Sequence, residues 1–382
     1  MNKIIILITI AYLTISCSGY KVLQPTEIKT LKDYPIVYSL PKVELCIAVE
    51  LLQTKSYKGP FADYCNYYLG MEPEVKNDEI QYKINNIIIS QINTPDTSKT
   101  FCIISTKKNI LNKISLTEYG LLAGINNDVI LTKNIQPPTS CEFNNTENDN
   151  EFNFMYSSYK SNLIEIIDTT YKIIKTDSTS RRVPVYSSRI EEKDIETKAS
   201  EAADLIKKLR KRKFRMMTGM DEVIPSDIAA EKLIDELNKM EKEYISLFLG
   251  EKINSKSVIK FHYTPEKEIE KSILFYFSEL NGITNDESLG TPLYILCYPN
   301  NNTISVDSLF ARQSKLNRKG LAYNIADMVN VQIIDDGNIY YNENILIPQF
   351  GIVSRLSRKA LKGSHRIIIC PQTGTLQLIG DN

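Results

Sequence analysis

Tryptophan is absent from these 382 residues and histidine occurs only twice. That leaves little material for a Trp-lined sugar cleft or a His-rich metal site. An excess of either charge is missing too, since 46 Lys and Arg balance 46 Asp and Glu. A neutral body exerts no broad attraction on nucleic acid or acidic membranes, although local patches remain open to it. The 15 glycines are scattered and form no phosphate-cradling loop. No H-E-x-x-H, G-x-S-x-G or C-x-x-C spacing occurs, which removes the commonest zinc, hydrolase and thioredoxin-like signatures. What is present, 42% hydrophobic and 24% charged residues, is the composition of an ordinary globular protein. The length predicts two or three domains.

The N-terminus carries the clearest message. Lys3 supplies a positive start, residues 4–15 are apolar apart from Thr9 and Thr14, and small Ser16 precedes Cys17. This stretch falls short of the roughly 20 residues that a spanning helix needs, and it matches a secretory signal over 1–16. A cysteine at that place resembles a bacterial lipoprotein signal, in which the thiol is acylated; Thr14 stands where that pattern has Leu. Plain secretion with cleavage nearby is the alternative. Two or more acyl chains, at about 0.8 kcal/mol per buried methylene, would hold a neutral protein at a membrane. Ser18, Gly19, Tyr20 and Lys21 follow, and the first acid is Glu27. Without an acidic tract after the cysteine, a periplasm-facing position is expected. Residues 17–33, with Pro25, read as a tether.

Cys46, Cys65, Cys102, Cys141, Cys297 and Cys370 remain. An even count invites a disulfide reading. Four of them, however, sit in apolar strand-like runs such as ELCIAVEL and YILCY, where cysteine behaves as a small buried hydrophobe. Free thiols are the expectation, with a disulfide as the alternative.

Along the chain, alternating apolar runs predict strands at 35–40, 43–53, 79–91, 100–106, 110–117 and 120–132, a β-rich domain over 34–133. Within it, Gly59 and Pro60 open a short helix that Gly70 stops. Residues 134–151 are a polar loop, and strands resume over 152–192. From Ile195 apolar residues recur at spacings of three and four as far as Met217, with Gly219 beyond. Pro225 and Ser226 start a second such run, closed by Gly250. The short connection predicts an antiparallel helix hairpin over 193–250. A second β-rich domain follows over 251–382, with turns at Asp336–Gly337 and Gln372–Gly374. The expected fold is α+β: mostly antiparallel β-sheet with a central helix hairpin.

Among chemical constellations, the densest is Lys207, Lys208, Arg210, Lys211, Arg212, Lys213 and Arg215, seven cations in nine residues. It is a candidate anionic contact, for lipid phosphate or lipopolysaccharide. The competing reading is a solvated helix end, where cations complement the macrodipole and acids of the next helix (Asp227, Glu231, Asp235, Glu236) lie alongside. His262 and His365 have no ligand-spaced neighbours, and Asp221–Glu222 and Asp335–Asp336 read as turn residues. No catalytic residue, metal or cofactor is assigned.

The segments GPFADYCNYYLG (59–70) and LTEYGLLAGIN (116–126), together with Arg181–Gly250, resemble an uncharacterised family of Bacteroidetes cell-envelope lipoproteins. Further shared motifs are V-Y-S-L-P (Val37–Pro41), a basic run followed by T-G (Leu209–Gly219), Q-F-G (Gln349–Gly351) and T-G-x-L (Thr373–Leu376). The resemblance implies a location in the Gram-negative envelope and brings no catalytic residues. The functional expectation is a lipid-anchored, non-catalytic binding or assembly module of an outer-membrane protein complex, with envelope proteins as partners and no nucleic acid. The alternatives are an enzyme or binder of envelope glycans or peptides, and a carrier with an apolar cavity.

Overall fold

The computed structural model describes residues 20–27, 35–105, 114–126, 154, 162–176, 179–220, 227–267, 271–299, 320–357 and 365–380. The signal over 1–16, Cys17, the loop at 134–151, Cys141, Asp221–Glu222 and Ser226 lie outside the described residues. What is described is mostly antiparallel sheet, with three α-helices among the described residues.

Contacts divide the chain into two compact units, one drawn from residues 1–51, 83–145 and 257–382, the other from 52–82 and 146–256. The sequence reading kept 34–133 and 251–382 apart; both contribute to the first unit. The reason lies in β2 (Ile36–Tyr57), whose residues Leu45 to Val49 are all buried. A strand buried on both faces needs cover from two directions, and local neighbours supply only one.

Four strands share a sheet in the order β1 (Tyr20–Leu23), β3 (Glu79–Ser105), β2, β8 (Glu251–Tyr263). Part of the stretch read as a tether is thus structured: Tyr20 to Leu23 pair antiparallel with Cys102 to Ser105, and Val22 is fully buried. A five-stranded sheet runs β10 (Gly282–Thr284), β9 (Lys271–Ser278), β11 (Thr291–Pro299), β12 (Leu321–Ile334), β13 (Ile339–Leu356). A third sheet runs β15 (Leu376–Gly380), β14 (Arg366–Ile369), β5 (Leu122–Ile125), β4 (Ile114–Leu116). Tyr38, Leu40, Phe101, Leu122, Leu321 and Ile367 bring β2, β3, β5, β12 and β14 into one core.

The motifs Val37–Pro41 and Thr373–Leu376 meet at this core, and Gln349–Gly351 joins β2 beside it, at Val43. The Tyr38 hydroxyl donates to the Ala322 carbonyl at 3.2 Å and accepts from the Ala322 amide at 3.1 Å. Buried Asn324 donates through its side-chain amide to the carbonyls of Pro41 (3.3 Å) and Thr373 (3.2 Å), and its backbone N–H donates to Gly374 at 2.8 Å. Gln349 acts as a surrogate strand residue: its Nε2 donates to the Val43 carbonyl at 2.7 Å and its Oε1 accepts from the Val43 amide at 3.0 Å. It is free to do so because β12–β13 pairing passes from Asp327–Ile347 to Ile325–Ile352, leaving Pro348 to Gly351 outside the ladder as a bulge. The shared motifs are therefore joints of the fold.

Asp335 fixes the β12–β13 turn, as its sequence setting predicted. One carboxylate oxygen accepts from the amides of Gly337 (2.8 Å) and Asn338 (2.6 Å), the other from the Tyr340 hydroxyl (2.8 Å). Partial burial works to raise its pKa, but these donors outweigh burial and hold the carboxyl below its ordinary value. A depressed folded pKa contributes stability above the unfolded value that is lost as pH falls through the folded one. Asp335→Asn should thus lower stability by under about 1 kcal/mol near neutrality, discounted for solvent screening. The gap should close below about pH 4. Urea melts across that range check both the size and the sign.

In the second unit, α2 (Ile195–Met217) opens at Asp194, whose side chain accepts from the Thr197 amide at 2.9 Å. Ala199, Ala202, Ala203, Ile206 and Leu209 form its buried stripe. The first four pack with Tyr244, Leu247 and Phe248 of α3 (Asp227–Leu249) and with Phe61. The GPFADYC segment forms a 3-10 turn at Ala62–Tyr64 and α1 (Cys65–Leu69), and it closes the end of α3. The Leu247 carbonyl accepts from Phe61 N–H at 2.9 Å, and the Leu249 carbonyl from Val75 N–H at 2.9 Å. Helix-end carbonyls that would otherwise be orphaned are satisfied in this way. Glycine is required at position 59, because a Cβ there would stand 2.3 Å from the Leu247 oxygen.

Candidate functional site

The remaining element is a two-stranded ribbon, β6 (Leu163–Thr176) against β7 (Thr179–Glu192), paired in unbroken antiparallel register from Leu163–Glu192 to Thr176–Thr179. Successive side chains point to opposite faces. One face carries Ile167, Tyr171 and Ile173 from β6 with Pro184, Tyr186 and Ile190 from β7. Ile190 is 70% exposed, Tyr186 68%, Tyr171 64% and Ile167 60%. The opposite face carries Ile164, Ile174, Val183 and Val185, also exposed. In all, ten large apolar side chains of the ribbon are exposed.

A lone two-stranded ribbon is marginal in water, and its exposed apolar side chains make it the candidate site. Charge is distributed unevenly over the first face. Glu165 and Glu192 lie at the end where the ribbon joins the body, and Lys175 and Arg182 lie toward the tip. The opposite face has ion pairs of its own, Arg189 with Glu191 at 3.1 Å and with Asp168 at 3.6 Å. The sequence predicted strands over 152–192 but not their exposure. The available signal was the placing of apolar residues on both faces of the ribbon.

The basic run lies on α2. Arg210 Nε donates to Glu241 Oε1 at 2.7 Å, and Lys213 pairs with the other Glu241 oxygen and with Asn238 Oδ1 at 2.9 Å. Lys207 pairs with Asp204 of its own helix at 3.5 Å. Glu241 is nearly buried. Burial raises its pKa, yet the two cations outweigh that and hold it below the ordinary value. Lys208, Lys211, Arg212 and Arg215 are exposed. The structure thus ties Arg210 and Lys213 into the fold through Glu241, a residue that the sequence reading missed. It looked to acids at the start of the second helix, whereas the partner is one full turn or more beyond them.

No other group converges on a reacting centre among the described residues. His262 Nδ1 meets Glu44 Oε1 at 2.9 Å on adjacent strands, more than half exposed. No set of three His, Cys, Asp or Glu side chains among the described residues could hold a metal ion. Cys46, Cys65, Cys102 and Cys297 are buried free thiols and Cys370 is a half-buried one. Burial pushes the Cys297 thiol up to about 12, which makes it a packing group rather than a nucleophile. No described helix is long and apolar enough to cross a membrane.

Fold and surface together define a mixed, mainly antiparallel β protein with a projecting apolar ribbon. The sequence profile of the DUF4831 family, a domain of unknown function, matches residues 34–162 and 168–377, and the chain belongs to that family. Neither the curated proteins nor the solved structures gave a match.

Proposed function

We propose that this protein is a cell-envelope assembly module, held at a membrane by acylation of Cys17 and joined to protein partners through the β6–β7 ribbon. The observation that carries the reading is the ribbon itself, with ten exposed large apolar side chains on an element of two strands. A long apolar face suits another protein surface better than a small substrate, which calls for a concave pocket with a few convergent polar groups. The pattern of residues 1–17 and the lipoprotein resemblance support an outer-membrane, periplasm-facing position in a Bacteroidetes-type envelope. In the same reading α2 and α3 are the arms of one antiparallel hairpin. The pairs Arg210–Glu241 and Lys213–Asn238, which run in opposite sense along the two helices, support this.

The test places a photo-crosslinking amino acid at Tyr186 of the full chain in intact cells. A discrete protein adduct is expected, and loss of every adduct would overturn the docking reading. Palmitate labelling that survives Cys17→Ala would overturn the anchor.

A further inference from the structure

The charge layout of the ribbon identifies its occupant. We propose that the face bearing Ile167, Tyr171 and Tyr186 packs on the same face of a second copy of this chain, the two ribbons running antiparallel about a two-fold axis across their middle. This rests on the docking reading above and specifies the partner.

Three observations support a self-complementary surface. The first is register. Residue numbers of paired positions on β6 and β7 descend and ascend evenly from Leu163–Glu192 to Thr176–Thr179, so the midpoint of this face falls at Thr169–Tyr186. A two-fold axis there sets Tyr186 against its own counterpart and Ile167 against Tyr171 of the other copy. The apolar middle thus meets apolar middle.

The second is charge. The same operation brings Glu165 of one ribbon level with Arg182 of the other, and Glu192 level with Lys175, each pair lying diagonally across the two strands. A parallel arrangement would instead stack acids on acids and bases on bases, and like-charge juxtaposition works against such a complex. Isologous interfaces are built from one patch that complements itself in this way. The opposite face carries Asp168 and Glu191 toward the body and Lys172 and Arg181 toward the tip, but Arg189 sits among its acids and pairs with both. On the first face only Glu192 has such a partner among the described residues, Lys198 at 2.7 Å.

The third is area. Fourteen pairs at roughly 3.3 Å per residue make a ribbon about 46 Å long and, with its side chains, about 10 Å wide. Two such faces in contact withdraw about 900 Å² from water, the small end of specific interfaces and the size of a weak, reversible dimer. Sheets packed face to face lie about 10 Å apart with interdigitated side chains, a spacing that the isoleucines and tyrosines of this face fill.

The test uses complementary charge reversals in the full chain. Sedimentation should give a dimer for the unaltered protein. Glu165→Lys with Glu192→Lys should weaken self-association at least about tenfold, and so should Lys175→Glu with Arg182→Glu. An equimolar mixture of the two variants should restore the dimer, a recovery that misfolded chains could not produce. A monomer for the unaltered chain, or a dimer that neither reversal weakens, would overturn the proposal. The crosslink at Tyr186 separates the two readings. An adduct of twice the chain mass supports the second copy. An adduct with a different protein overturns the second copy while keeping the docking surface, and no adduct removes both.

Discussion

Replacing Gly351 by alanine is expected to abolish folding of the first unit. A Cβ at this position would stand 1.8 Å from the Ile325 carbonyl oxygen and 2.8 Å from its carbon, both backbone atoms. No rotamer change relieves such an overlap; the β12–β13 ladder must open where the bulge forms. The same movement would pull Gln349 from Val43 and lift Phe350, which is 1% exposed, from the core. The loss should exceed about 4 kcal/mol, the range reserved for changes with a named steric cause. Set against a total stability of about 5–15 kcal/mol, that is enough to leave little soluble protein. Gly337→Ala is the control. The nearest atom to its Cβ is 3.9 Å away, so denaturant midpoints should stay within about 0.5 kcal/mol of the parent.

Tyr38→Phe, which removes one oxygen atom, is expected to cost about 2–3 kcal/mol. The hydroxyl satisfies both polar groups of the Ala322 backbone, and residue 322 is fully buried. Phenylalanine keeps the ring and its contact with Phe101, at 5.7 Å between centroids, but leaves an N–H and a C=O without partners or water. Leaving buried groups unmade costs more than the bond contributes when present. Burial lifts the Tyr38 phenol well above its ordinary pKa, so the difference between the two proteins should be flat with pH until the chain unfolds. Equilibrium unfolding in urea at several pH values measures both features.

Local signals in the sequence located several elements well. The stripe from Ala199 to Leu209 and the glycines at 219 and 250 marked the two long helices, and Asp336–Gly337 marked the β12–β13 turn. Each depends on residues within a few positions of one another. The strands predicted at 35–40 and 43–53 are one strand, β2, with Pro41 inside it. Asn324 takes the Pro41 carbonyl from another part of the chain. Glu241 and the Tyr38–Ala322 pair escaped for a related reason: their partners are 28 to 284 positions away, and no spacing rule reaches so far. The ribbon was legible as strands, whereas its exposure depends on what the rest of the chain fails to cover.

The bond between Gln349 and Val43 closes 306 positions of sequence. At ~5–20 residues per second of synthesis, the early strand waits roughly 15–60 s before its side-chain partner exists. β3 is available to one edge of β2 early, but during that interval the joint at Val43 stays open and Leu45 to Val49 still await cover from later strands. A chain that stops before residue 349 should therefore leave this joint unmade and the first unit less stable than in the full chain.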